Sequence, residues 1–218
     1  MPHTRKGTLA QTMRWLLIKG YRAFRSSDYR EQNALYENLA VEGQHPQVML
    51  ISCADSRVDP TDIFHAYPGE MFVLRNVANV VPHADVETAT PGTAAALEYA
   101  TTVLGVRLIV VMGHEHCGGI KGCLHGVDDG YISDWLQHLK PARNRIRSMN
   151  LPPEAAQREM EYEGVRQSLD NLMSFPFVKD RVQAGELVLE GAYFSIVDGH
   201  LLLMNDDGDF IDVDASRS

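Results

Sequence analysis

The 218-residue sequence predicts an α/β fold, a mainly parallel central β-sheet flanked by helices, with an N-terminal helical arm and a C-terminal β-hairpin. Three observations carry that prediction. Three short apolar runs, QVMLIS (47–52), MFVLRN (71–76) and RLIVVMG (107–113), have the length and continuous apolarity of strands buried on both faces. Between the last two lies TPGTAAALEYATTVLG, a helical stretch entered through Pro91 and closed by Gly105, so the order strand, helix, strand fits a crossover between parallel strands. Further on, ELVLEGAYFSIVDGHLLLMN reads as two strands around Asp198 and Gly199, a hairpin turn pair.

The remaining elements follow in chain order. The first 27 residues carry Arg5, Lys6, Arg14, Lys19, Arg22 and Arg25 and no acidic residue before Asp28, which is also how an organelle transit peptide reads. Met13, Leu16, Leu17, Gly20, Tyr21 and Phe24 fall at helical spacing, and an amphipathic helix whose apolar stripe must find a surface is the preferred reading. SSDYREQNALYENLA is a second helix, capped by Ser26, Ser27 or Asp28 and ended by Gly43 and Pro46. Past Gly118 the chain is helical again. Ser133 is expected to cap DWLQHLKPARNRIRSM, Pro141 to kink or divide it, and Pro-Pro-Glu to open LPPEAAQREMEYEGVRQSLDNLMSF. The Asp-rich stretch from Asp206 reads as a solvated terminus. The expected organisation is one domain, with residues 1–42 as the arm, 43–205 as the core and 206–218 as an acidic tail.

Composition narrows the function. With 44% hydrophobic and 22% charged residues the chain can build one sizeable core. A net charge of -9 argues against nucleic acid, whose phosphates need clustered Lys and Arg. No apolar run approaches the roughly 20 residues that span a bilayer, and no secretory h-region opens the chain, so a soluble cytoplasmic protein without a membrane partner is expected. Three cysteines make no disulfide framework and read better as metal-binding or catalytic thiols in a reducing compartment.

The chemistry gathers where strands end, the place ligands occupy in open α/β sheets. Cys53 follows VMLIS, His114 follows LIVVMG, and Cys117 stands three residues on, before Gly118 and Gly119. A loop entering a helix there would aim free N–H groups at the thiolate and lower its pKa. Two cysteines and a histidine make a three-ligand zinc set, which leaves a fourth tetrahedral position for water, the mark of a catalytic rather than a structural site. His114 is the preferred ligand over His116, because side chains of adjacent residues such as His116 and Cys117 diverge. Cys123 belongs to no spaced set and reads as packing. His65, His83, His125, His138 and His200 read as ordinary polar residues, and none is identified as a proton shuttle.

CADSR followed by HEHCGG resembles the paired signature of the β-class carbonic anhydrases, Cys-x-Asp-x-Arg and His-x-x-Cys. The resemblance extends through EGQHP, PGEMFVLRNVANVVP, GTAAALEYA, GGIKG, WLQHLKPAR, SLDNLMSFPFV and the terminal hairpin. It implies Zn2+ on Cys53, His114 and Cys117, with Asp55 accepting a hydrogen bond from the metal's water and Arg57 holding Asp55 in a bidentate pair. It implies that Gln44, Phe72 and Tyr99 line the substrate pocket, that the pocket lies at a dimer interface, and that N-terminal helices wrap the partner. In some members the aspartate swings onto zinc, alongside a Trp three residues before the first Cys. Leu50 and Ser52 stand here instead of that Trp and an accompanying Gly, so an open site is expected. Glu115 occupies a position that is often Ser or Thr.

Elementary chemistry supports those roles. Two thiolates cancel the metal's formal charge, so zinc so bound acidifies water less than zinc on three imidazoles. A carboxylate kept ionised by a guanidinium can compensate by orienting the attacking oxygen. If the extended strand continued, alternation would bring Cys53, Asp55 and Arg57 to one side. The expected activity is reversible hydration of carbon dioxide to bicarbonate and a proton, in a homodimer or larger homo-oligomer, without nucleotide or organic cofactor. The alternatives are a carbonyl sulfide or carbon disulfide hydrolase of the same fold, and a non-enzymatic zinc or thiol module.

Overall fold

The computed structural model describes residues 4–85 and 91–215, with side chains from residue 9 onward. The last three residues of the expected tail lie outside the described residues. Two compact units divide the chain between Gln44 and His45.

The first unit is helical. Helix α1 runs Thr4–Ser26, α2 Asp28–Glu31 and α3 Asn33–Glu42. The single second helix expected from Ser26 is therefore broken at Gln32, whose φ of -110° and ψ of 12° leave the helical region. Ser27 does not cap α2, because its hydroxyl turns back to the Ala23 carbonyl at 2.8 Å. Gly43, at φ +83°, closes α3 as expected. Of the apolar stripe, Phe24 packs edge-on against Tyr29 and Tyr36, whereas Met13, Leu16, Leu17 and Tyr21 remain exposed, with Leu9 and Trp15 beside them.

The second unit holds one six-stranded sheet of order β2-β1-β3-β4-β5-β6. Strands β1 (Val48–Cys53), β2 (Met71–Asn76), β3 (Leu108–His114) and β4 (Val188–Phe194) are parallel neighbours, and β5 (Leu201–Met204) and β6 (Phe210–Asp212) add antiparallel. The three expected strands stand within a residue of their sequence limits. The hairpin also stands, with Gly199 at φ +72° in its turn. The expectation of a solvated tail is corrected. Chain from Asp206 turns at Gly208 into β6, and Phe210 stacks on Tyr162 at 4.5 Å, so one aromatic among the acids suffices to seat an edge strand.

Short α4 (Pro60–Ile63) follows β1, capped by the Asp59 carboxylate. The crossover helix α5 (Pro91–Glu98) passes into a π-turn, Tyr99–Val103, rather than staying α-helical to Gly105. Thr101 and Thr102, whose hydroxyls bond carbonyls three and four residues back, sit in that turn. Past Gly118 come α6 (Gly118–His125), α7 (Tyr131–Leu136), α8 (Lys140–Ser148), α9 (Pro153–Leu172) and α10 (Pro176–Gln183). Ser133 lies inside α7, not at its cap, because Gly130 at φ +150° starts the helix earlier. Pro141 divides the stretch as expected, with one 3-10 turn before it and Pro141 as the second residue of α8.

The sheet has two apolar faces. On one, Met49, Ile51, Ile109 and Val111 pack with Val165, Leu169 and Leu172 of α9 and Val178 of α10. On the other, Leu50, Val110, Met112 and Ala192 meet Ile63, Phe64 and Phe194. A Cβ on Gly113 would stand 2.8 Å from the Val165 side chain, so glycine there lets α9 lie directly over the end of β3. That close crossing decides where the functional side chains meet.

Candidate metal centre

Cys53 is the last residue of β1 and His114 the last of β3, adjacent parallel strands ending on the same side of the sheet. From His114 the chain turns through His116, at φ +55°, and enters α6 with Cys117 at its N-cap. The two sulfurs stand 4.0 Å apart, and both with a His114 ring nitrogen lie within 4.8 Å of one another, all three residues buried. Among the described residues this is the one such convergence of ligand-bearing side chains.

These residues fit zinc. Tetrahedral Zn–S bonds of about 2.3 Å place two sulfurs about 3.8 Å apart, close to what the thiols adopt here. His114 Nδ1 lies 2.9 Å from the Glu115 carbonyl, so it carries the ring proton and leaves Nε2 with the lone pair. That Nε2 is buried without a hydrogen-bond partner, a costly orphan until a cation takes it. The hydrogen bond from Cys117 draws the Cys53 thiol down against the opposing effect of burial, helped by His114 and the backbone N–H groups of Asp55 and Ala78. The same contact, with burial, pushes Cys117 up. The N–H groups of Gly119 and Ile120 face its sulfur without closing a cap hydrogen bond. One proton shared by two close sulfurs is the state that a divalent cation replaces.

Packing explains the second of the two glycines after Cys117. A Cβ on Gly119 would fall 3.0 Å from the Ala78 Cβ and 2.9 Å from the Val77 side chain. Glycine thus lets α6 abut the left-handed Ala78 and Asn79 after β2, a loop that Asn76 staples to both backbone groups of Val80 at 2.9 Å.

Asp55 and Arg57 meet, but not by strand alternation. The strand ends at Cys53, and residues 55–58 form a turn in which Val58 N–H reaches the Asp55 carbonyl and Arg57 N–H reaches the Asp55 carboxylate at 3.0 Å. An aspartate that caps its own turn wins over extended chain here. The fork is bidentate as implied, Arg57 Nε to Oδ1 at 2.9 Å and Nη2 to Oδ2 at 2.7 Å. The guanidinium holds the Asp55 carboxyl well below the usual carboxylate range. Arg57 Nη2 also reaches the His116 carbonyl at 3.3 Å, joining this turn to the His114–Cys117 loop.

Glu115 turns away from the ligands. Its carboxylate accepts from Val197 N–H and Ser195 Oγ, both at 3.0 Å, in the β4–β5 turn, and those bonds lower its pKa. Phe72 of β2 and Tyr99 of the π-turn form a ring pair with centroids 5.8 Å apart, Tyr99 half exposed. Gln44 is the last residue of the first unit. Cys123 is buried in the cluster around α6 and is structural, as expected.

Several residues escaped the sequence reading. Arg75 of β2 grips the whole β1 exit, donating to the carbonyls of Cys53 at 3.0 Å and Asp55 at 2.7 Å and to the Asp59 carboxylate at 2.7 Å. Glu161 and Tyr193 meet behind Cys117. An arginine closing an otherwise apolar strand, and a glutamate four residues before Val165 and eight before Leu169 on a packed helix face, were the available signals.

A model of the carbonic anhydrase family matches residues 48–201. The chain is 41% identical over 189 residues to β carbonic anhydrase 3 of Arabidopsis thaliana, covering 83% of this chain and 72% of that protein. It superposes on the structure of the β-carbonic anhydrase CcaA with a TM-score of 0.88 at 33% identity, covering 92% of each chain. A tetrameric β-carbonic anhydrase of Sordaria macrospora aligns with a TM-score of 0.78 at 28% identity, over 89% of this chain and 98% of that one.

Proposed function

This chain belongs to the β-class carbonic anhydrases, zinc-dependent catalysts of the reversible hydration of carbon dioxide, and we propose that Asp55 and Arg57 orient the attacking water in it. Zinc, when bound, supplies a water acidified toward pH 7 and a positive centre for the developing negative charge. Cys53, His114 and Cys117 hold the metal and fix the direction of its remaining position. Asp55, kept acceptor-only by Arg57, takes the hydrogen bond of the attacking O–H and turns a lone pair of that oxygen toward carbon. Phe72 and Tyr99 form the apolar hollow for carbon dioxide, and the amide of Gln44 holds an oxygen of bicarbonate.

The observation that carries this reading is the two-bonded fork, which occupies both Asp55 oxygens and keeps that carboxylate out of the ligand cluster. Stopped-flow hydration with a pH indicator tests it. Asp55→Asn should keep stoichiometric zinc and lose about 100- to 1,000-fold in rate, the scale for removing one transition-state partner. An unchanged rate removes Asp55 from the mechanism.

The active unit is a homodimer, alone or within a larger assembly. What supports a second chain is strand register. Phe72 pairs with Met49, four residues before Cys53, and so lies about 13 Å down the sheet from the ligand at roughly 3.3 Å per residue. An aromatic pair so placed serves the metal centre of another copy more readily than its own, and the exposed apolar face of α1 offers contact area. Mixing Asp55→Asn with Phe72→Ala chains should then restore about a quarter of native activity, since half of randomly paired dimers hold one intact site of two. Additive residual activities would contradict the shared pocket.

A further inference from the structure

The peptide unit between His116 and Cys117 is gripped from both ends. Its carbonyl accepts from Arg57 Nη2 at 3.3 Å, and its N–H donates to Glu161 Oε1 at 3.0 Å. The unit needs holding, because His116 is in the left-handed region at φ +55°, which non-glycine residues disfavour. Gln157, one turn before Glu161 on α9, donates to the same Oε1 at 2.7 Å and to the Cys117 carbonyl at 3.2 Å. The second oxygen of Glu161 accepts from the Tyr193 hydroxyl at 2.7 Å. Three donors thus converge on the two oxygens of one side chain. It is only 3% exposed, on a helix that packs Val165, Leu169 and Leu172 into the core. A buried polar group of this kind is expensive unless fully bonded, and a hydrophobic residue would serve the core as well.

We infer that Glu161 is a positioning residue for the metal centre. It fixes the His116–Cys117 peptide so that the Cys117 sulfur meets the metal where Cys53 and His114 already converge. The inference rests on the zinc reading above. Glu161 touches neither substrate nor the reacting atoms, and it acts through the backbone of a ligand, where outer partners commonly govern affinity.

The test is zinc transfer from the holoenzyme to a chelator of known affinity, alongside the absorption spectrum of the cobalt-substituted protein. Glu161→Ala should hold zinc about 10- to 100-fold more weakly, with altered cobalt–thiolate bands. Glu161→Gln, which keeps an acceptor for the Cys117 N–H, should recover to within about threefold of native affinity and restore the bands. If the alanine variant does not fold, Glu161→Asp carries the test, since its shortened side chain keeps the carboxyl group but cannot reach the Cys117 N–H, and it should weaken zinc similarly. Native affinity and spectrum in a destabilised Glu161→Ala or Glu161→Asp protein would make Glu161 a strut of the core and overturn the inference. A glutamine variant as weak as the alanine one would overturn it too. Failure of the native protein to hold zinc would instead sink the metal assignment, so the two failures are distinguishable.

Discussion

The exits of β1 and β3 are neighbours in one sheet, yet they are built on opposite plans. At the β1 exit the cations are protein side chains: Arg57 and Arg75 gather the carboxylates of Asp55 and Asp59 and the carbonyls between them, in a turn open to solvent. At the β3 exit the fastening groups are acceptors: the carboxyl groups of Glu161 and Glu115, both buried, take N–H and O–H donors from the Cys117 backbone, α9, β4 and the β4–β5 turn. The physical lesson is a division of labour. A ligand loop whose imidazole and thiol, His114 and Cys117, must stay put is anchored in low dielectric, where each hydrogen bond is strong and movement is costly. The carboxylate proposed to accept a hydrogen bond from the attacking water stays near solvent, held in place by a guanidinium.

Removing the chief fastener of the first exit should have the larger effect. Arg75→Met leaves three carbonyls and a carboxylate without their donor, a loss of about 2–4 kcal/mol by the usual worth of charged hydrogen bonds. Denaturant midpoints should fall accordingly, and hydration should slow as the Asp55 turn loosens, while zinc content holds because Cys53 remains fixed within β1. Zinc loss out of proportion to rate would break the proposed division.

Glu115→Gln should do less and should leave the rate near native. The Val197 and Ser195 donors hold the folded carboxyl below its unfolded value of about 4.3. Its contribution to stability is therefore complete above that value and is lost as pH falls through the lower folded one. The variant should be about 1 kcal/mol less stable at neutral pH, and the gap should close in acid. A gap that persists at low pH would show the charge to be idle. The same comparison would then need another anchor for the β4–β5 turn.

Much of this architecture was legible in the chain. Val, Ile and Leu runs ending at Cys53 and His114 declare buried parallel strands, and the spacing of Cys53, His114 and Cys117 declares the ligand set without any knowledge of packing. What stayed hidden depends on partners distant in sequence. Helix α10, eight residues from Pro176, is too short to display a clear apolar period and had no assignment in the sequence reading. Strand β6 is held by Phe210 against Tyr162 and Tyr193, contacts that an Asp-rich stretch does not advertise. Alternation along 53–57 failed because Asp55 prefers to bond the backbone two residues on. Glu161 lies 44 residues from the N–H it holds, so only its place on a packed helix face hinted at a role.

The central claim is that three side chains hold zinc while Arg57 keeps Asp55 away from it. A crystal structure of the zinc-loaded protein at neutral pH tests this most directly. The account predicts zinc about 2.3 Å from both sulfurs and about 2.0 Å from His114 Nε2, with the Asp55–Arg57 fork intact. An Asp55 oxygen bonded to the metal, with that fork broken, would contradict it.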